Sequence, residues 1–238
     1  MRGIHLILLI LLGSTSQSPA SSSFSHEIWN TLLKKYVSAD GRVDYKGMMS
    51  EKDKLQTYLN LLSSNSPKED WLRNDQMAFW INAYNAFTVK AILDHYPVKS
   101  IQDIDNGKVW DEPFIPIGTG KYSLNNIEHD ILRKKFGDPR IHFAINCASH
   151  SCPRLLNEAF TTQGLYEQLN AAAKGFVNDP SKNKITASSV RLSSIFEWYK
   201  DDFTKKGTLI DFINQYSAVK ISSNATVSYL IYDWSLNE

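Results

Sequence analysis

The stretch 77–93 limits what this 238-residue chain can fold into more than any other. Its only strongly polar side chains are Asn82, Asn85 and Lys90. A helix that is apolar nearly all round must be covered on nearly all sides, so other elements have to wrap it. The flanking signals predict a helix capped at Asn74 or Asp75, running to about Leu93 and stopped before Pro97. Asn82 and Asn85 are three residues apart and share a face. A buried amide without partners costs roughly 1–3 kcal/mol, so the pair must be satisfied. They either tie down loop backbone or orient a catalytic group or substrate, and the sequence leaves both open.

The wrapping elements follow from spacing. Ile28, Trp29, Leu32, Leu33 and Tyr36 predict an amphipathic helix over 24–36, and a second covers 48–62, closed by a turn cluster at 63–67. Residues 98–120, with Gly107, Pro113, Pro116, Gly118 and Gly120, read as a long irregular connection of the kind that is often functional. Ser123 caps a helix over 124–136, Gly137 closes it, and Asp138-Pro139 forbids continuation. Residues 141–146 are the best strand candidate. Thr161 or Thr162 opens a helix through about Asn178, short strands are expected at 184–186 and 190–192, short helices at 194–203 and 209–216, and a last strand at 227–232. The expected fold is α+β: one mostly helical globular domain over 24–238, packed around a small sheet. At 42% hydrophobic and 12% aromatic, the chain can bury such a core without disulfide staples.

The first 23 residues are set apart from this domain. Arg2, an apolar run from Ile4 to Leu12 and the small residues Ser18-Pro19-Ala20 predict a signal peptide over 1–20, followed by a linker at 21–23. The apolar run is about half of the ~20 residues that a membrane span needs, so no stable span is expected after cleavage. The expected location is secreted or periplasmic. Twenty-six basic against twenty-five acidic residues, with no basic block, give no electrostatic support for nucleic-acid binding.

Reactive groups concentrate at 141–153, which holds both cysteines, Cys147 and Cys152, and two of the six histidines, His142 and His150. Strand alternation would place His142, Ala144 and Asn146 on one face and Phe143, Ile145 and Cys147 on the other. A nucleophilic cysteine needs a nearby imidazole or helix N-terminus to stabilise its thiolate, and His129, His142 and His150 are candidates. On the Ser123-capped helix, Glu128 falls within the apolar stripe of Leu124, Ile127, Ile131 and Leu132. A carboxylate on a buried face must be paired, hydrogen-bonded or protonated, and His142 and Arg140 are candidate partners from another element. That pairing is either a structural salt bridge or part of a site. Cys147, His150 and Cys152 match no common zinc pattern, and glycine-rich phosphate loops and Gly-x-Ser-x-Gly are absent, so no metal or cofactor is expected.

Several stretches together resemble the family called domain of unknown function 547. They are Phe79-Trp80-Ile81-Asn82-Ala83-Tyr84-Asn85, Ile127-Glu128-His129-Asp130-Ile131-Leu132-Arg133, Asp138-Pro139-Arg140-Ile141-His142-Phe143-Ala144 with Asn146-Cys147, and Ser151-Cys152-Pro153. The C-terminal Tyr232-Asp233-Trp234-Ser235-Leu236-Asn237 is similar to the bacterial form, and the likeness runs from about Phe24 to the end. The resemblance implies an exported bacterial protein and points to Asn82, Asn85, Glu128, His129, His142 and Cys147. It names no reaction, and at His150 it fixes no residue.

Two function classes remain open. In the first, a thiol-dependent hydrolase or acyl-transfer enzyme acts on a small-molecule or peptide substrate. Cys147 is its nucleophile, His129 or His142 its base, and Glu128 with the two asparagines its orienting groups. In the second, a non-catalytic exported binding or scaffold domain carries a Cys147–Cys152 disulfide and a buried polar network.

Overall fold

The computed structural model describes residues 24–238, so the expected signal peptide and linker lie outside the described residues. The chain opens with α1 (Glu27–Tyr36), α2 (Tyr45–Met48) and α3 (Lys52–Ser64), and then enters α4 (Arg73–His95). The second expected helix is thus split, with a 3-10 turn at Met49–Glu51 between its pieces. α4 is the buried central helix: Phe79, Ile81, Ala83 and Ala86 are fully buried, and the helix packs against α2, α3 and a π-helix at Asn126–Phe136. Its start falls earlier than expected. Leu72 precedes the first turn without a side-chain cap, and Asp75 lies inside that turn, where its carboxylate accepts from the Thr162 hydroxyl. No helix among the described residues is long and apolar enough to cross a membrane.

Residues 98–120 are more regular than composition suggested. Two 3-10 turns, interrupted by left-handed backbone at Asp105, Asn106 and Gly107, span Ile101–Trp110. β1 (Ile115–Ile117) then pairs antiparallel with β2 (Gly120–Tyr122) across a two-residue turn. Pro116 argued against a strand, but a two-stranded ribbon has free edges where a missing donor is tolerated. The π-helix begins as expected: the Ser123 hydroxyl accepts from the Asn126 amide, and the Asn126 side chain accepts from the Ser123 amide, both at 3.0 Å. It ends at Gly137 (φ 60°), in the left-handed region that glycine adopts without a Cβ penalty.

The principal correction concerns 141–146. The segment is not a strand: Pro139–Phe143 forms a 3-10 helix, followed by irregular backbone. Asp138 sets this up by accepting from the Arg140 amide (3.0 Å), while Pro139 occupies the first turn, where no donor is needed. The expected face alternation therefore does not hold. A short apolar run is consistent with several buried conformations, and the Asp-Pro start decides between them.

The remaining elements are α5 (Leu165–Val177), β3 (Lys184–Ile185), β4 (Ser189–Leu192), α6 (Ile195–Trp198), α7 (Lys200–Phe203), α8 (Leu209–Asn214) and β5 (Thr226–Tyr229). β3 pairs antiparallel with β4, and β4 pairs parallel with β5 in the register Ser189↔Thr226 to Leu192↔Tyr229. The result is α+β and mostly helical, with two small sheets among the described residues.

Among the described residues, the buried apolar side chains fall into two clusters. One surrounds α4; the other joins α5, β4, α6, α7 and α8. The 3-10 helix bridges them, with Ile141 in the first cluster and Phe143 in the second. Cys147 lies four residues beyond the end of that bridge. Its loop is also stitched to the C-terminus, where the His150 and Ser151 amides donate to the Ser235 and Asp233 carbonyls and the Asn237 amide donates to Ala148.

Candidate active site

A cleft of about 420 Å³ opens along the seam between the two clusters. Ile145 lines it from one cluster and Ile195 from the other, with Tyr84, Glu128, His142, Cys147, Cys152, Tyr199 and Tyr232 between them. Trp110, Trp198 and Trp234 also line it, and the Trp198 and Trp234 rings stack 6.0 Å apart. This volume lies in the range of small-molecule sites.

Cys147 is placed by backbone bonding that starts on the central helix. Asn85 reaches across with Nδ2 to the Ala144 carbonyl (2.9 Å) and accepts the Asn146 amide on Oδ1 (2.8 Å). Asn146 in turn donates to the Pro153 carbonyl (2.7 Å) and accepts from the Ala148 amide (2.9 Å), closing the loop on itself. Ala148 sits at φ 60°, a left-handed conformation that L side chains disfavour. Asn82 has a different target: it exchanges two hydrogen bonds with the backbone of Phe160. Both buried amides are thus backbone anchors, and the one at Asn85 holds the Cys147 loop.

The Cys147 sulfur lies 2.8 Å from Cys152 Sγ, 3.1 Å from Ser149 Oγ and 3.2 Å from the Tyr232 hydroxyl. The Cys147 amide donates to Cys152 Sγ at 2.8 Å, and the Ser149 hydroxyl donates to Tyr232 at 3.0 Å. Both cysteines are free thiols. Burial pushes the Cys147 thiol up, but hydrogen bonds from Cys152, Ser149 and Tyr232 outweigh it and bring it down to about 7. Burial, and then the neighbouring Cys147 sulfur, pushes Cys152 well up. The two thiols therefore differ in kind: Cys147 is partly exposed in the cleft, and Cys152 is buried in its wall.

Glu128 is buried on the π-helix and lines the same cleft. Its partners are phenols rather than His142 or Arg140. The Tyr84 hydroxyl donates to Oε2 at 3.3 Å, and Tyr199 hydrogen-bonds the same carboxyl group. Arg140 is committed to Asp138 at 2.6 Å. Burial and the Glu128 charge push the Tyr199 phenol far up, so it stays a neutral donor.

The two expected base histidines have separate environments. His142 lines the cleft, 3% exposed, with its ring stacked 4.0 Å from that of Tyr199. Its Nε2 is 2.9 Å from Asp202 Oδ2, and its buried Nδ1 has no hydrogen-bond partner among the described residues. Burial lowers the imidazole, against the pull of Asp202. The hydrogen bond from His142, against burial and with help from Lys205 and Arg133, holds the Asp202 carboxyl far below the usual range. An ionised Asp202 accepts only, so the neutral ring carries its proton on Nε2. His129 is not among the cleft-lining residues. Its Nδ1 faces the Arg133 guanidinium at 3.1 Å, and its ring lies 6.4 Å from that of Tyr199. His150 is exposed. Among the described residues, no group of three or more His, Cys, Asp or Glu side chains is placed to hold a metal ion.

Residues 68–177 match the family described as "Protein of unknown function, DUF547". This segment is a DUF547 domain. It contains Asn82, Asn85, Glu128, His129, His142, Cys147 and Cys152, but Tyr199, Asp202, Tyr232 and Trp234 lie beyond the matched DUF547 segment. The chain matches no curated protein and no solved structure.

Sequence reasoning did not single out Tyr84, Tyr199, Asp202 or Tyr232. The available signals were two stretches that stood out as motifs without a role for their tyrosines, Phe79–Asn85 with Tyr84 and the C-terminal Tyr232-Asp233-Trp234 run.

Proposed function

We propose that the protein is an exported thiol-dependent hydrolase or acyl-transfer enzyme acting on a small-molecule or peptide acyl substrate, with Cys147 as its nucleophile. The observation that carries this reading is the hydroxyl and thiol cradle around the Cys147 sulfur at the wall of an aromatic cleft. A thiol at about 7 is roughly half ionised at neutral pH, so it can attack without a base beside it. The thiolate adds to the acyl carbon, the leaving group departs and takes a proton from water, and a Cys147 thioester remains. A water molecule then gives a proton to Glu128 and adds to the thioester, and the thiolate leaves. In this scheme His142, held by Asp202 and stacked on Tyr199, is a positioning residue, and His129 has no direct part. Export is supported by the Arg2, Ile4–Leu12 and Ser18-Pro19-Ala20 pattern.

A second reading, a binding or scaffold domain bridged at Cys147–Cys152, is favoured by the 2.8 Å approach of the two sulfurs. Acylation by p-nitrophenyl acetate, followed by nitrophenolate release and intact mass, separates the two. The enzyme reading expects a burst with an acetyl group on Cys147 that is lost in Cys147→Ala. It also expects Glu128→Gln to slow the second phase by about 10²-fold while leaving the burst. A reduced protein whose Cys147 acylates no faster than free cysteine would remove the reading.

A further inference from the structure

We propose that Cys147 and Cys152 form an exchange-active dithiol, in which Cys147 attacks a small organic disulfide and Cys152 resolves the mixed disulfide to leave a Cys147–Cys152 bond. This is a redox activity separate from acyl transfer, and it does not rest on that reading.

The geometry supplies each part. An attacking thiol must be reachable, and Cys147 is partly exposed in a cleft of about 420 Å³. A resolving thiol must be close and shielded, and Cys152 is 5% exposed with its sulfur 2.8 Å from that of Cys147. A disulfide needs sulfurs about 2.0 Å apart, so closure asks for little movement. The loop between them is fixed beforehand. Ala148 is held left-handed, the Cys152 amide donates to the Ser149 carbonyl, and the His150 and Ser151 amides are pinned to the C-terminal segment. The Tyr232 hydroxyl, 3.2 Å from Cys147, stabilises charge on that sulfur both before attack and when it is the leaving group in reduction.

The chemistry balances. The Cys147 thiolate forms a bond to one sulfur of R–S–S–R, the S–S bond breaks, and RS⁻ departs. Cys152 then loses its proton, its thiolate attacks Cys147 Sγ, and the second RS⁻ departs. The two protons released by the protein thiols convert both RS⁻ ions to RSH. Two thiols are oxidised and one external disulfide is reduced. At neutral pH the lowered thiol gains in ionised fraction more than it loses in intrinsic nucleophilicity, which leaves a net advantage of at least about threefold over an ordinary cysteine.

The test uses the full mature chain, reduced and then mixed with oxidised glutathione, with acid-quenched samples read by intact mass and peptide mapping. The expected wild-type product has lost two hydrogens and carries a Cys147–Cys152 bond that excess dithiothreitol reverses. Cys152→Ser is expected to stop at one glutathionyl group on Cys147, formed at least about threefold faster than the adduct on Cys152 in Cys147→Ser. A wild-type protein that retains one or two glutathionyl groups without closing the bond would overturn the proposal. So would a Cys147 adduct that forms no faster than the Cys152 adduct. An intramolecular bond that forms once and resists dithiothreitol would also contradict it, and would favour the inert bridge. If Cys152→Ser does not fold, a reversible two-electron equilibrium of the wild type across glutathione buffers supports the proposal, and its absence overturns it. The acetylation assay on the same reduced protein is read separately, so either activity can fail alone.

Discussion

Asn85 Oδ1 accepts the backbone amide of Asn146 at 2.8 Å, so a side chain of the central helix fixes the residue immediately before Cys147. Its amide nitrogen also satisfies the Ala144 carbonyl, and all of these groups are buried. Asn85→Ala leaves a buried donor and a buried acceptor unpaired, and should cost about 2–4 kcal/mol in urea unfolding. It should also slow alkylation of Cys147 in the folded protein, because the sulfur cradle loses its support. Asn82→Ala is the internal control. Its cost should be similar, since it strands the Phe160 amide and carbonyl, but Cys147 labelling should stay unchanged. Equal effects of the two substitutions on labelling would mean that Asn85 acts through general stability alone.

A pH effect on stability is expected far from the cleft. His26 accepts or donates at 2.6 Å with the Tyr58 hydroxyl, and burial brings its imidazole down to about 4, against an upward pull from Asp75. The ordinary value is 6.5, so between 6.5 and about 4 the unfolded chain holds a proton that the folded chain does not. Stability should therefore fall as pH drops through this window, by on the order of 2 kcal/mol, with the loss complete below about 4. Urea midpoints measured across pH 4–7 should show a shallower slope in His26→Gln than in the wild type. Parallel slopes would assign the acid sensitivity to other groups.

Legibility from sequence followed the range of the signals. α4 was readable because an almost unbroken apolar surface has few solutions, and Ser123 and Gly137 marked the π-helix ends because caps are local. β4 and β5 were found within one to three residues for the same reason. The segment after Pro139 was misread because Ile141, Phe143 and Ile145 look alike in a strand and in a tight buried turn, and the Asp138 cap carried the decision. Glu128 was recognised as needing a partner, but Tyr84 and Tyr199 come from elements 44 and 71 residues away. Asp202 lies 60 residues from His142, in a short helix whose sequence resembles any amphipathic surface turn. Pairings of that kind arise from the packing of two clusters against each other and leave no periodic trace in the chain.

The central claim is that Cys147 is ionised near neutral pH by Tyr232, Ser149 and Cys152 rather than by a histidine. The direct measurement is the rate of iodoacetamide labelling of the reduced protein across pH, resolved by peptide mapping at each cysteine. The account predicts a half-maximal rate at about pH 7 for Cys147 and slow labelling of Cys152 throughout. Tyr232→Phe should move the Cys147 midpoint up, and His129→Ala should leave it in place. Equal, slow labelling of both cysteines with midpoints near that of a free thiol, unmoved by Tyr232→Phe, would contradict it.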